Sequence, residues 1–216
     1  MSKQLILPKS DKDGLAYLSY SQISTWKKSK RDYIRQYFFK EGFEGNAYTD
    51  FGSKVGEAFE NNDFSQFEFD EQLFLEQIPV YEEFERKIKL EMGGFYVVGY
   101  IDTNSSCLTK LADYKTGDIE KKRGDYESDD YNQLEIYAAA IEQETGILPT
   151  DVKVFLIGRG GNAFQNEKLV LTQEYITITR DVTPEKVAAV KKLVQETAEE
   201  ISAYYTMYLK LNGLMQ

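Results

Sequence analysis

Between Phe95 and Gly117 the chain reads FYVVGYIDTNSSCLTKLADYKTG, and this stretch decides the fold. Its apolar residues recur with a period of two on either side of Asn104-Ser105-Ser106, the pattern of two strands, Phe95–Asp102 and Leu108–Tyr114, joined by a turn. Asp102 closes the first strand. Asp113 and Lys115 lie near the end of the second and project to one face, because side chains alternate along a strand. If the strands pair, two carboxylates and an ammonium meet at one place. That set suits phosphodiester cleavage: carboxylate oxygens hold Mg²⁺, the cation polarises phosphate and acidifies water, and a lysine stabilises charge building on phosphorus. Spacing alone leaves a plainer reading open. Asp102 is then a solvated turn residue, and Asp113–Lys115 an exposed ion pair worth under about 1 kcal/mol.

Working outward, Tyr81–Leu90 and the Gly93-Gly94 turn add a third strand and make an antiparallel meander. Residues 126–145 have helical spacing and close at Gly146. Val152–Ile157 reads as a buried strand, turned by Arg159-Gly160-Gly161-Asn162 toward two short strands, Lys168–Leu171 and Tyr175–Arg180. Thr183 caps a long C-terminal helix with Pro184 at its first position, and Val187, Val190, Val194, Ile201, Tyr205 and Tyr208 make its apolar stripe. Upstream, Ser19 and Gln22 form a capping box for a helix starting near Tyr20. Phe51–Glu60 is a short helix despite Gly52 and Gly56, and residues 61–78 are an acidic, Phe-rich helical or irregular insertion. Residues 1–18 read as a loose arm before one domain, 19–216. The expected class is α/β, with a central mixed sheet, the meander plus further strands, flanked by helices.

Composition narrows the chemistry. The 216 residues contain no histidine and one cysteine, which excludes Ser-His-Asp and Cys-His catalysis, His-ligated zinc and any iron–sulfur cluster built within this chain. The net charge is −10, which argues against a nucleic-acid coat protein but not against an enzyme that recruits cations. No apolar run reaches the roughly 18 residues of a membrane span, and no signal peptide is expected. Richness in Lys, Tyr, Phe and Asn suggests an AT-rich genome, consistent with a phage or low-GC host.

Val98-Gly99-Tyr100-Ile101-Asp102, Ala112-Asp113-Tyr114-Lys115-Thr116-Gly117 and Gln133-x-x-x-Tyr137 together resemble the PD-(D/E)XK nuclease superfamily, with its restriction-endonuclease-like core. They look most like its RecB-type nuclease domains and CRISPR-adaptation exonucleases. Leu18–Ile23 resembles that branch's opening helix, and Phe51–Glu60 its Gly-x-x-x-His-x-x-x-Glu helix. The resemblance implies that Asp102 and Asp113 are metal ligands, joined by the Tyr114 backbone carbonyl, for Mg²⁺ or Mn²⁺. It implies that Lys115 is the catalytic lysine, and that Gln133 and Tyr137 serve the same site. Gly56 stands where the branch has its histidine, so Glu60, or less readily Glu57, is expected to supply the helix ligand. Ser29 stands where iron–sulfur members begin their cysteine set, so no cluster is expected.

The activity implied is a metal-dependent DNA nuclease, an exonuclease in recombination, repair or phage DNA processing, acting on single-stranded DNA or free ends in the bacterial cytoplasm. A helicase or single-strand annealing protein in trans is compatible with it. A decayed binding module of the same fold and a phage structural or interaction protein are the alternatives. The basic-aromatic stretch carrying Lys27, Lys28, Lys30, Arg31, Tyr33 and Arg35 is the expected DNA-binding surface.

Overall fold

The computed structural model describes residues 5–42 and 45–215. The meander forms as its alternation predicts: β2 (Glu83–Glu91), β3 (Tyr96–Asn104) and β4 (Lys110–Gly117). β2 and β3 pair from Glu83↔Asn104 to Glu91↔Tyr96, whereas β3 and β4 pair only at Thr103↔Ala112 and Asn104↔Leu111. Beyond that point they splay into a fork. Part of the vacated edge of β3 is taken by β1 (Tyr17–Ser19), which runs parallel to it from Tyr17↔Tyr96 to Ser19↔Val98. β4 continues instead beside parallel β5 (Asp151–Gly160), which pairs antiparallel with β6 (Val170–Thr179). The result is a six-stranded mixed sheet.

Among the described residues seven α-helices flank it: α1 (Tyr20–Lys28), α2 (Lys30–Tyr33), α3 (Ala47–Asn61), α4 (Phe69–Leu75), α5 (Ile119–Glu127), α6 (Gln133–Thr145) and α7 (Pro184–Leu211). On one face Ile23 and Trp26 of α1, Leu134 and Ile141 of α6 and Val194 and Ile201 of α7 pack with Val97, Ile101 and Leu111. On the other, Val55 and Phe59 of α3 and Leu75 of α4 pack with Ala112, Tyr114 and Phe155. Each large side chain so buried stabilises the fold by about 1.5–3 kcal/mol. The cap of α7 is as expected: Thr183 Oγ1 accepts from the Lys186 N–H at 3.3 Å. Among the described residues no helix is long and apolar enough to cross a membrane.

Several expectations need correction. Residues 5–18 are not loose: Leu7, Ala16 and Leu18 are buried, and Tyr17 opens β1; residues 1–4 lie outside the described residues. The capping box is half made. Ser19 Oγ accepts the Gln22 N–H at 3.3 Å, but the Gln22 side chain turns inward to accept from Tyr33 Oη at 3.3 Å. The helix expected over 126–145 is broken between α5 and α6, where Ser128 Oγ and its carbonyl accept from Asp130 and Tyr131. The two short strands near 168–180 are one, β6, which passes Gln173 at a φ of 58°. The insertion after α3 is as expected: α4 is a short helix in otherwise irregular chain anchored by buried Phe67 and Ile78.

Candidate active site

Asp113 lies on β4 just past the last β3–β4 pair, fully buried, and its carboxylate is held from three directions. Gln133 Nε2 donates to Oδ1 at 2.9 Å, Tyr131 Oη donates to Oδ2 at 3.1 Å, and Lys115 Nζ lies 2.5 Å from Oδ2. The first turn of α6 thus fixes the carboxylate. Tyr137, one turn further on, receives a second hydrogen bond from Gln133 Nε2 at 2.9 Å. Burial first, then the Asp113 charge, raises the Tyr131 hydroxyl well above the ordinary tyrosine range, so it stays protonated and remains a donor.

Asp102 occupies the crotch of the fork. Its Oδ2 accepts the Tyr114 N–H at 2.7 Å, replacing the ladder bond that the splayed strands no longer make. Burial, then repulsion from Asp113, pushes the Asp102 carboxyl up to about 7, against the opposing pull of Lys115 and the Tyr114 bond. Lys115 is half-buried. Burial works to lower its pKa, but Asp113 and Asp102 outweigh it and hold the ammonium above its ordinary value. Two carboxylates and one ammonium therefore share a confined site in which Asp102 and Lys115 are both perturbed, a pattern concentrated at functional sites.

The donor set fits a hard divalent cation in part. Asp102 and Asp113 supply carboxylate oxygens. An extended residue directs its N–H and C=O to the same edge, so the Tyr114 carbonyl faces the fork as its N–H does. Mg²⁺ commonly takes one or two carboxylates and completes its shell with water and phosphate. Among the described residues no group of three or more His, Cys, Asp and Glu side chains is arranged to hold a metal ion. Glu57 and Glu60 of α3 are exposed. A β-carbon on Gly56 would meet nothing within 4 Å, so the helix keeps open space where the resembled branch has a histidine.

The expected DNA-binding stretch is divided. Tyr33 is fully buried against Trp26, Tyr37 and Phe38 and offers no stacking surface. Lys30 pairs with Glu200 of α7, Arg35 with Glu41 at 2.7 Å, and Arg31 with Asp32 at 3.6 Å. Lys27 and Lys28 line a cleft of about 550 Å³ between α1 and α5, opposite Lys122 and Tyr126, where Lys27 lies 3.7 Å from Asp130 and Lys122 2.8 Å from Asp125. Tyr131, the Asp113 ligand, also lines it, so the cleft borders the carboxylate site.

Sequence reading missed three participants. Tyr131 reads as an apolar helix position, although its place two residues before Gln133 could have marked it. Glu85 sits opposite Asp102 at a φ of 49°, where the β2–β3 pairing skips a pair; its carboxyl is raised by burial, then by Glu60 and Asp113. Arg180 donates to the Tyr126, Ser128 and Tyr131 carbonyls at 2.8, 3.0 and 2.8 Å and to Glu135 at 2.7 Å, clamping the segment that carries Tyr131. Neither the bend at Glu85 nor the convergence on Arg180 has a local sequence signal.

No protein-family model matches the sequence. No curated protein matches it either. The chain is similar to a solved structure, that of a "Putative exonuclease" from Eubacterium rectale, with a TM-score of 0.56 and 14% sequence identity over 96% of this chain and 86% of that one. At that identity the likeness establishes a shared fold, the mixed sheet flanked by helices.

Proposed function

We propose that the chain is a divalent-metal-dependent deoxyribonuclease of the PD-(D/E)XK type, acting as an exonuclease on DNA ends in recombination, repair or phage DNA processing. The observation that carries this reading is the meeting of Asp102, Asp113 and Lys115 at the β3–β4 fork, with Gln133 and Tyr131 orienting Asp113. Asp102, Asp113 and the Tyr114 carbonyl are the groups that would hold Mg²⁺ or Mn²⁺, which supplies Lewis acidity toward a phosphate oxygen and a more acidic water. Lys115 keeps its charge and can donate to an oxygen of the scissile phosphate as charge builds there. Gln133 and Tyr131 keep Asp113 from rotating, so the site is organised before substrate arrives. Lys27, Lys28 and Lys122, against Asp125 and Asp130 in the same cleft, leave an acidic protein a local excess of positive charge for the backbone. A helicase or annealing protein would act in trans.

The test is digestion of end-labelled single- and double-stranded DNA with Mg²⁺, Mn²⁺, Ca²⁺ or EDTA. Release of label from ends in Mg²⁺ or Mn²⁺ alone supports the reading, and internal cuts revise its mode. Gly56, where the resembled branch has its histidine, favours a second reading, a nucleic-acid-binding module of the same fold that has lost cleavage. Retained DNA binding with no hydrolysis in any metal selects it.

A further inference from the structure

Arg159 stands apart from the other arginines. Arg31, Arg35, Arg86, Arg123 and Arg180 each pair with a carboxylate. Among the described residues, Arg159 has neither an ion pair nor a hydrogen bond from its guanidinium, and its Nε is buried without an acceptor. The group is nonetheless held in place. It lies 4.3 Å above the ring of Tyr48 in α3, whose hydroxyl donates to Asn162 Oδ1 and accepts the Ala163 N–H, both at 3.1 Å. Burial works against its charge. A half-buried, oriented guanidinium with no protein acceptor forgoes bonds that buried polar groups normally make, and its planar fork matches phosphate oxygens two at a time.

Its position suits such a ligand. Lys115 pairs in register with Leu156 and Gly117 with Gly158, so Arg159 follows three residues past the catalytic lysine's level, roughly 10 Å along the sheet at about 3.3 Å per residue. Lys122, whose ammonium pairs with Asp125 at 2.8 Å, lies beside the end of β4. Its stem crosses Gly117, where a β-carbon would lie 3.0 Å from Lys122 Cγ, and its residue lines the cleft that Lys27 and Lys28 share. Arg159 stands on the α3 face of the sheet and the cleft on the α1 and α6 face, so a strand touching both passes around the end of β4.

We propose that Arg159, stacked on Tyr48 and flanked by Lys122, is a binding subsite for a backbone phosphate of a polynucleotide strand, beyond the bond that is cut. The proposal rests on the nuclease reading. It is tested by fluorescence anisotropy of a labelled single-stranded oligonucleotide in Ca²⁺ across a salt series, beside a cleavage assay in Mg²⁺. Arg159→Gln should bind roughly tenfold more weakly, as expected for loss of a charged hydrogen-bonding group. Its log-affinity against log-salt slope should be shallower by about 0.7, one phosphate contact on a single strand. Arg159→Lys should keep the slope and lose affinity, which also decides the matter if the Gln variant fails to fold. Arg123→Gln, whose guanidinium pairs with Glu127, should match the wild type. If wild type binds and cuts DNA while a folded Arg159→Gln, or failing that Arg159→Lys, has its affinity and slope, this inference alone falls. If wild type neither binds nor cuts, the nuclease reading falls and takes the inference with it.

Discussion

The ring of Tyr137 fills the space beside Gly99: a β-carbon built on Gly99 would lie 2.4 Å from Tyr137 Cε1. The missing side chain lets α6 approach β3 closely enough for Gln133 to reach Asp113 while also donating to Tyr137. Gly99→Ala should therefore destabilise the protein by about 1–3 kcal/mol through overpacking. Gly99→Ala with Tyr137→Leu should recover part of that loss. Urea unfolding of the two variants checks it, and a wild-type midpoint for Gly99→Ala alone would refute the packing.

Asp102 gives a pH signature to the metal-free protein. Its folded pKa, about 7, lies above the ordinary 3.8, so the folded state favours the protonated carboxyl. The stability associated with that protonation is fully present below about 4 and is lost as pH rises through 7. Asp102→Asn mimics the neutral form and can still accept the Tyr114 N–H. It should melt higher than wild type at pH 8, with the gain shrinking toward pH 5; the lost attraction to Lys115 makes it smaller than the shift alone implies. Calorimetric melts from pH 4 to 8 in EDTA measure this, and a gain constant with pH would be inconsistent with a perturbed Asp102.

Gly56 sits inside α3 with open space at its β-carbon position. Gly56→Ala should stabilise the protein by about 0.5–1 kcal/mol, the ordinary cost of glycine in a helix interior. Gly56→His should fold as well and tighten Mn²⁺ binding in calorimetric titration. Loss of stability in both variants would mean that the space is occupied by something the contacts do not reveal.

The basic stretch should separate in binding experiments. Replacing Lys27 and Lys28 by Ala should make the salt slope of single-strand binding shallower by about 1.4, at about 0.7 per contact. Replacing Lys30 and Arg35, which lie outside the cleft between α1 and α5 and hold Glu200 and Glu41, should change it little. Tyr33→Ala should cost about 3–5 kcal/mol of stability, as a core aromatic does. Equal slopes for the two double variants would place the strand elsewhere.

The meander was legible because period-two alternation is a local signal, and so were Thr183 and Pro184 at the head of α7. Strand alternation brought Asp102, Asp113 and Lys115 toward one place, and the family resemblance added Gln133. What escaped was non-local. Tyr33 looked like a stacking aromatic among lysines because nothing nearby showed that α7 and Trp26 enclose it. β1 escaped because three residues carry no period, and its pairing depends on the edge that β4 abandons. The Arg180 clamp joins residues about fifty positions apart, beyond any window of periodicity.

The most direct measurement is the single-turnover rate of DNA hydrolysis in saturating Mg²⁺ for wild type, Lys115→Ala and Asp113→Asn, with DNA affinity in Ca²⁺ measured on the same preparations. Lys115→Ala should lose at least about a hundredfold in rate, the lower end for removal of one group that stabilises developing charge, with DNA affinity nearly intact. Asp113→Asn should lose rate and Mg²⁺ affinity together. A wild-type rate in Lys115→Ala, or metal-dependent hydrolysis undiminished in Asp113→Asn, would contradict the assignment of this site.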